Sequence, residues 1–113
     1  MPYIHVTANI PITEEQEKAL AAGAGKAVAL LPGKSEQWLM AGCKGGEALY
    51  FQGKDEPAAF IEVRLFGSAP DSAYEALTGE LTRLAEQTLF IPRNRIYVQY
   101  EECRHWGFAG SNF

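Results

Sequence analysis

Apolar and polar residues alternate along two short segments, one near the start of each half of the chain. In residues 3–9 the order is Tyr3, Ile4, His5, Val6, Thr7. In residues 59–66 the order is Phe60, Ile61, Glu62, Val63, Arg64, Leu65, Phe66. Because successive side chains of a strand point to opposite faces of a sheet, this alternation predicts two strands, with the aliphatic positions on one buried face.

A helical spacing of apolar residues follows each predicted strand. The first set is Leu20, Ala24, Ala27, Val28, Leu31, and the second is Tyr74, Leu77, Leu81, Leu84, Thr88. This spacing predicts two amphipathic helices. The first begins at the capping box Thr13-Glu14-Glu15-Gln16 and ends at Pro32-Gly33. The second is expected to be capped by Asp71 or Ser72 and is broken by Pro92.

Two glycines lie inside the first predicted helix. Gly23 and Gly25 each cost roughly 1 kcal/mol relative to alanine at such a position. Since glycine has no Cβ, we expect a close approach of this helix to a sheet to account for both.

The chain is built from two similar halves. Further strands are predicted at residues 38–43 and 95–101, so each half reads strand, helix, strand. The tripeptide Ile4-His5-Val6 also recurs as Ile61-Glu62-Val63. A strand–helix–strand unit needs a crossover connection and parallel pairing within the unit. The predicted fold is therefore α+β with two layers: a tandem β-α-β repeat, forming a four-stranded mixed sheet with two helices on one face.

The second face of this sheet has no helix to cover it. We expect it to carry Tyr, Trp, Phe and Val side chains, and an exposed apolar face of this kind is an association surface. The runs at 48–51 and 106–113 lie outside the repeat and are candidates to add strands to neighbouring copies. These features predict an oligomer.

Composition limits the classes of function. The chain has 113 residues, enough for one domain spanning 1–113. A net charge of −4 argues against nucleic acid or an anionic membrane as the main partner. The sequence shows no apolar run of membrane-spanning length and no secretory signal, so we expect a cytoplasmic protein. Cys43 and Cys103 are expected to be free thiols, and we predict no metal site.

The most distinctive chemical feature is Pro2 directly after Met1. Removal of the initiator methionine would leave proline as a free secondary amine, which can accept a proton as no internal proline can. The following strand would hold that amine at the end of a sheet. Met-Pro is also a common start with no function, and position two alone favours that simpler interpretation.

A few other residues are candidates for a site. Lys34 follows the Pro-Gly helix stop, which would bring its ammonium to the sheet end near Pro2. Tyr97 and Gln99 share one face of the last strand and are suited to orient a small ligand. Patterns for nucleotide binding, paired metal ligands and a serine–histidine–carboxylate triad are missing from the sequence. The histidines, His5 and His105, are interpreted as surface or packed residues.

Several motifs, in order and spacing, give the chain a resemblance to a known family. They are Met1-Pro2, Gly33-Lys34, Phe51-Gln52-Gly53, Glu56-Pro57, Asn94-Arg95-Ile96-Tyr97-Val98-Gln99-Tyr100 and Trp106-Gly107-Phe108-Ala109-Gly110-Ser111-Asn112-Phe113. Through them the whole chain resembles the macrophage migration inhibitory factor and D-dopachrome tautomerase family of the tautomerase superfamily. The resemblance implies the β-α-β repeat assembled as a homotrimer, and it leaves non-classical secretion open.

The resemblance also implies roles for individual residues. Pro2 would be the catalytic base, and Lys34 would bind a substrate carboxylate. The backbone of Phe66 would contact ligand, and Tyr97 would reach the site from the adjacent subunit, beside Gln99. The family more often has isoleucine at the position of Phe66 and asparagine at that of Gln99.

The predicted function is that of an isomerase catalysing keto–enol tautomerisation, without a cofactor, of a small carboxylate such as an aryl pyruvate. Aromatic walls from Trp106, Phe108 and Phe113 suit an aryl group. Two alternatives remain open at this point. One is a trimeric, cytokine-like binding protein with vestigial catalysis. The other is a hydratase or decarboxylase that uses Pro2 with extra arginines, for which the candidates are Arg64, Arg95 and Arg104.

Overall fold

A computed structural model describes residues 1–113, and at its centre two antiparallel strands bring the sequence repeat together. Strand β1 is Pro2–Ala8 and strand β3 is Ala59–Phe66. Ile4 lies opposite Val63, His5 opposite Glu62 and Val6 opposite Ile61. The repeated tripeptides therefore face each other across an approximate two-fold axis that passes between His5 and Glu62.

The outer strands complete a mixed sheet of four strands. Strand β2 is Met40–Lys44 and pairs in parallel with β1, and strand β4 is Ile96–Cys103 and pairs in parallel with β3. The spatial order is β2-β1-β3-β4. Parallel pairing within each half and antiparallel pairing between the halves confirm the predicted β-α-β repeat.

Both predicted helices are present, with one wrong cap. Helix α1 is Glu14–Ala27, and Thr13 and Gln16 make the reciprocal hydrogen bonds of a capping box. Helix α2 is Asp71–Leu89, but Pro70 occupies its N-cap and no side chain caps it. The expected cap by Asp71 or Ser72 is therefore wrong, because both residues already lie within the first turn of the helix. Helix α2 ends at Phe90, which adopts a left-handed conformation (φ 58°), before Pro92 is reached.

The glycines of α1 face neighbours other than the sheet. A Cβ on Gly23 would overlap a methyl carbon of Leu84 in α2, and one on Gly25 would overlap a carboxylate oxygen of Glu36. The close approach expected from the sequence is real, but its partners are the second helix and the loop after α1.

The core lies between the two helices and one face of the sheet. Its sheet side is formed by the aliphatic members of the two alternating segments, and its α1 side by the predicted stripe. The predicted stripe of α2 is wrong in part, because Tyr74 and Leu84 are only half-buried and Thr88 lies outside the core. The buried face of α2 instead repeats every four residues: Ala73, Leu77, Leu81, Ala85, Leu89. The fully buried residues include Ile4, Ile61, Val63, Leu65, Leu31, Leu77, Leu81, Leu89, Ile91. Every one of these side chains loses contact with water, so the amphipathic pattern of the sequence determines which face of each element is inside.

The open face of the sheet is more polar than expected. The valines point to the helices, and the middle of the face carries charged residues. Glu62 lies 4.0 Å from His5 and 3.3 Å from Arg64, which is itself 3.8 Å from Glu101. Aromatic side chains occupy the two ends of this face. The predicted Tyr, Trp, Phe and Val surface was therefore wrong for valine and for Trp38, which lies outside the sheet.

Short elements complete the chain. Single 3-10 turns occur at Val28–Leu30, Glu36–Trp38 and Arg93–Arg95. The aromatic tail forms a small hairpin of β5, Gly107–Phe108, and β6, Ser111–Asn112. Residues 48–51 form no strand within the chain. Neither helix has the length and apolar character needed to traverse a bilayer.

Candidate active site

The N-terminal end of β1 brings three of the predicted site residues together. Pro2 is buried and pairs with Leu65 of β3. The amide of Phe66 donates to the carbonyl oxygen of Met1 at 3.1 Å. The Nζ of Lys34 donates to the carbonyl oxygen of Phe66 at 2.9 Å. The backbone of Phe66 thus links the Lys34 ammonium to the first peptide of the chain.

The turn after α1 delivers Lys34 to this place. The amide of Lys34 donates to the carbonyl of Leu31 at 3.0 Å, closing a tight turn over Pro32 and Gly33. Gly33 has φ 76°, a conformation that side chains other than glycine rarely adopt. Leu31 is buried in the core, so the start of the turn is anchored and the lysine side chain is directed to the sheet end.

Two electrostatic effects at this end of the sheet make the terminal ammonium easier to deprotonate. Partial burial, and then the nearby Lys34 charge, lower the pKa of the N-terminal ammonium. Burial disfavours the charged form and a neighbouring cation repels it, so both effects act in the same direction. The amine here belongs to Met1, one residue ahead of the amine that Pro2 would expose.

A cavity of about 650 Å³ opens beside Met1 and Pro2. Two of the predicted aromatic residues, Trp106 and Phe108, line it. Lys34 is not part of this lining. The further lining residues are Tyr3, Gln37, Trp38, Leu39, Met40, Arg64, Cys103, Gly107. A cavity of ligand size with mainly apolar walls therefore lies next to the first two residues of the chain.

Aromatic contacts hold the C-terminal hairpin against this cavity. Trp38 and Phe108 meet edge to face with ring centroids 5.2 Å apart. Phe113 lies 5.8 Å from Phe66 and 6.4 Å from Phe108, again between centroids. The predicted residues Phe66, Phe108 and Phe113 thus form one cluster, and Trp38 extends it.

Tyr97 and Gln99 do not join Pro2 within one chain. Tyr97 pairs with Phe60, which pairs with Thr7, five residues along β1 from Pro2. At ~3.4 Å per strand residue this separation is roughly 17 Å along the sheet. Gln99 lies opposite Glu62, in the row that contains His5. Tyr97 instead borders a separate cavity of about 240 Å³.

Sequence reasoning missed Trp38 and Met40 as lining residues. Trp38 was expected in a strand, but local hydrogen bonds from Trp38 to Ser35 and from Leu39 to Glu36 form a 3-10 turn instead. The signal available in the sequence was the bulk of two apolar side chains close together. In the structure they remain 42% exposed (Trp38) and 70% exposed (Met40) beside the cavity. Arg64, named above only as an extra arginine, also lines the cavity, but its guanidinium is shared with Glu62 and Glu101.

Known proteins are similar to this chain over its full length. The family model described as macrophage migration inhibitory factor (MIF) matches residues 1–113. A macrophage migration inhibitory factor homolog of Brugia malayi is 30% identical, with 100% of this chain and 99% of that protein covered.

Solved structures show the same fold. The crystal structure of MIF2 from Leishmania major superposes with a TM-score of 0.94 at 27% identity, covering 100% of this chain and 97% of that one. The macrophage migration inhibitory factor homologue from Prochlorococcus marinus gives 0.88 at 31% identity, covering 98% of each chain.

Proposed function

The chain belongs to the macrophage migration inhibitory factor family, and from that premise we propose that it is a keto–enol tautomerase. Its base would be the secondary amine of Pro2, exposed by removal of Met1. Its substrate would be a small carboxylate with an enolisable ketone, of the phenylpyruvate type. Residues 1–113 would act as one domain, without a cofactor.

The observation that carries this proposal is the environment of the terminal amine. It is partly buried beside the Lys34 ammonium, at the edge of a cavity with aromatic walls. An ordinary α-amine is largely protonated at neutral pH and is then no base. Burial and Lys34 both lower the pKa of the terminal amine. After removal of Met1 the same surroundings would act on the amine of Pro2 and favour its neutral form, which general-base catalysis requires.

The chemistry needs only one proton acceptor and groups that hold the enolate. The lone pair of the Pro2 nitrogen takes a proton from the carbon next to the ketone, and the C–H electron pair moves to form the enolate. The resulting Pro2 ammonium, or solvent, supplies a proton to the enolate oxygen, and the reverse sequence returns the keto form. Lys34 would bind the carboxylate by a charge-assisted hydrogen bond. The cluster of Phe66, Phe108 and Phe113, with Trp106, would pack against the aryl group.

Within a single chain the Tyr97 hydroxyl does not reach the Pro2 site, because the two residues lie five residues apart along the sheet. Members of this family are homo-oligomers, and the outer edges of β2 and β4 have no strand partner within the chain. We therefore propose a homotrimer in which Tyr97, beside Gln99, reaches the Pro2 site of a neighbouring copy. Edge pairing, more than the mixed open face, supports this assembly.

The test is a tautomerase assay on protein whose first residue is known. Mass spectrometry selects a preparation that begins at Pro2, and the decay of the phenylpyruvate enol is followed by ultraviolet absorbance. We expect catalysis well above the buffer rate, and kcat/KM lower by ~10²–10⁴-fold in a preparation that retains Met1. Light scattering on the same sample measures the assembly. A trimer that begins at Pro2 and is inactive on several enols would contradict the proposal and favour the alternative, a binding protein with vestigial catalysis.

A further inference from the structure

Arg95 is a buried charge that binds only main-chain oxygens. Its Nε donates to the carbonyl of Pro57 at 2.9 Å, and its terminal nitrogens donate to the carbonyls of Phe51, Lys54 and Glu56 at 3.2, 3.1 and 3.0 Å. Only 9% of the residue is exposed. Carbonyl dipoles, and not a carboxylate, therefore compensate this guanidinium, and they all come from one loop.

The loop over residues 49–57 takes its shape from this arginine and from one asparagine. The Asn9 side chain donates to the carbonyls of Leu49, Asp55 and Glu56, and it accepts from the amide of Ala58. The segment has little regular pairing of its own, beyond a single bridge between Phe51 and Lys54. A loop held by side chains in this way is expected to lose its conformation when the side chain is removed, because several part-buried carbonyls lose their donors together.

A chain of ring contacts leads from Arg95 to Tyr97. The guanidinium carbon lies 5.3 Å from the centroid of the Phe51 ring. Phe51 meets Tyr97 edge to face, with centroids 5.1 Å apart and planes at 87°. Phe60 supports Tyr97 from another side at 6.3 Å. Tyr97 itself is 58% exposed, so few other contacts within the chain restrain its side chain. The Phe51 and Phe60 rings therefore orient it within one chain.

We propose that Arg95 is a positioning residue for the Tyr97 hydroxyl. It fixes the 49–57 loop, the loop fixes Phe51, and Phe51 holds the Tyr97 ring in the direction needed to reach a neighbouring Pro2 site. Arg95 touches neither substrate nor Pro2. The inference rests on the proposed tautomerase function for its kinetic readout, but its structural content is separate from it.

The kinetic test is a double-mutant cycle on phenylpyruvate. Arg95→Met keeps the aliphatic stem and removes the donors, Tyr97→Phe removes the hydroxyl alone, and the third variant carries both changes. We expect each single change to lower kcat/KM by roughly ten- to a hundredfold, mainly through kcat. The double variant is expected to have the same kcat/KM as Tyr97→Phe, because the position of the ring no longer matters once its hydroxyl is absent. Losses that multiply would overturn the inference.

Two further variants keep the test decisive if Arg95→Met folds poorly. Phe51→Leu leaves Arg95 and its carbonyl partners in place and should show the same non-additivity with Tyr97→Phe. Arg93→Met is the matched control, since Arg93 lies two residues away, is exposed and pairs with Glu86 on the surface. It should leave kcat/KM and Tm unchanged. An Arg93→Met loss equal to that of Arg95→Met would count against a specific role for Arg95.

A readout independent of activity separates this inference from the function. Protein labelled with 3-fluorotyrosine gives a ¹⁹F signal for Tyr97, identified by its loss in Tyr97→Phe. We expect Arg95→Met and Phe51→Leu to shift or broaden that signal, and Arg93→Met to leave it unchanged. If the wild-type protein is inactive but Arg95→Met and Phe51→Leu shift the Tyr97 signal, the positioning role is supported while the tautomerase proposal fails. An unchanged signal in an active enzyme would overturn the positioning role alone.

Discussion

The two ends of the central sheet are organised by different means. At the Pro2 end, main-chain hydrogen bonds of Phe66 connect Met1 and Lys34, and the residues come from three separate segments of one chain. At the Tyr97 end, one buried arginine side chain gathers the carbonyls of a single loop. The first end has the terminal amine and the Lys34 ammonium close to a cavity. The second has an exposed hydroxyl with only aromatic support.

The candidate site residues therefore lie at opposite ends of the sheet. Roughly 17 Å of strand separates Pro2 from Tyr97, so no side-chain movement unites them within one chain. In the proposed function the Pro2 end would bind and deprotonate the substrate, and the Tyr97 end would assist only the site of a different copy. The proposed site is therefore complete only when the two unlike ends of neighbouring chains meet.

Removal of the proposed base, Pro2, should cause the largest loss of activity. Pro2→Gly, and separately a form that keeps Met1, are expected to lower kcat/KM by ~10²–10⁴-fold, the range of general-base catalysis. Circular dichroism and thermal unfolding should show a retained fold, because strand pairing continues from Tyr3 onward. Full activity in a sample shown by mass to retain Met1 would rule out the amine of Pro2 as the base.

Mixing two inactive variants tests whether the two ends meet across chains. Pro2→Gly and Tyr97→Arg, unfolded and refolded together in equal amounts, should regain about a quarter of wild-type activity by random assembly of a closed ring. Light scattering must first report a trimer for each variant and for the mixture. If mixed trimers form and activity stays at background, Pro2 and Tyr97 belong to no common site.

The Lys34 cation should affect both substrate binding and the acidity of the amine. Lys34→Ala is expected to raise KM for phenylpyruvate by roughly ten- to a hundredfold, and much less for its methyl ester. Since the lysine charge lowers the pKa of the terminal ammonium, its removal should raise that pKa. The acidic limb of kcat/KM against pH should then move to higher pH, because the amine must lose its proton to act. Equal KM effects on acid and ester would argue against a carboxylate contact.

The aromatic wall of the Pro2 end should have the smallest effect. Trp38→Leu removes the edge-to-face partner of Phe108 and is expected to raise KM for an aryl pyruvate about two- to tenfold, in line with the ~0.5–1.5 kcal/mol of an aromatic pair. An aliphatic 2-oxo acid serves as the control substrate and should be little affected. The same change in KM for both substrates would show that Trp38 supports the hairpin and not the aryl group.

Most of the fold was predictable from local patterns. The segments 59–66 and 13–16 were predicted with correct strand bounds and cap chemistry, because alternation and capping depend on neighbours within a few residues. The cap of α2 was not, since Asp71 and Ser72 are typical capping residues but lie inside the helix, one and two residues after the N-cap Pro70. Trp38 was misplaced because a 3-10 turn and a strand end differ only in hydrogen bonds that sequence periodicity does not report.

The sequence by itself determined the repeat, the buried faces and the candidates Pro2, Lys34, Phe66, Tyr97 and Gln99. Tertiary structure alone decided which of them lie together. Position in a sheet depends on strand order and register, so Lys34 reaches Phe66 while Tyr97 lies five rows from Pro2. The role of Arg95 was equally hidden, because an arginine in a sequence looks like a surface charge until the loop that surrounds it is folded.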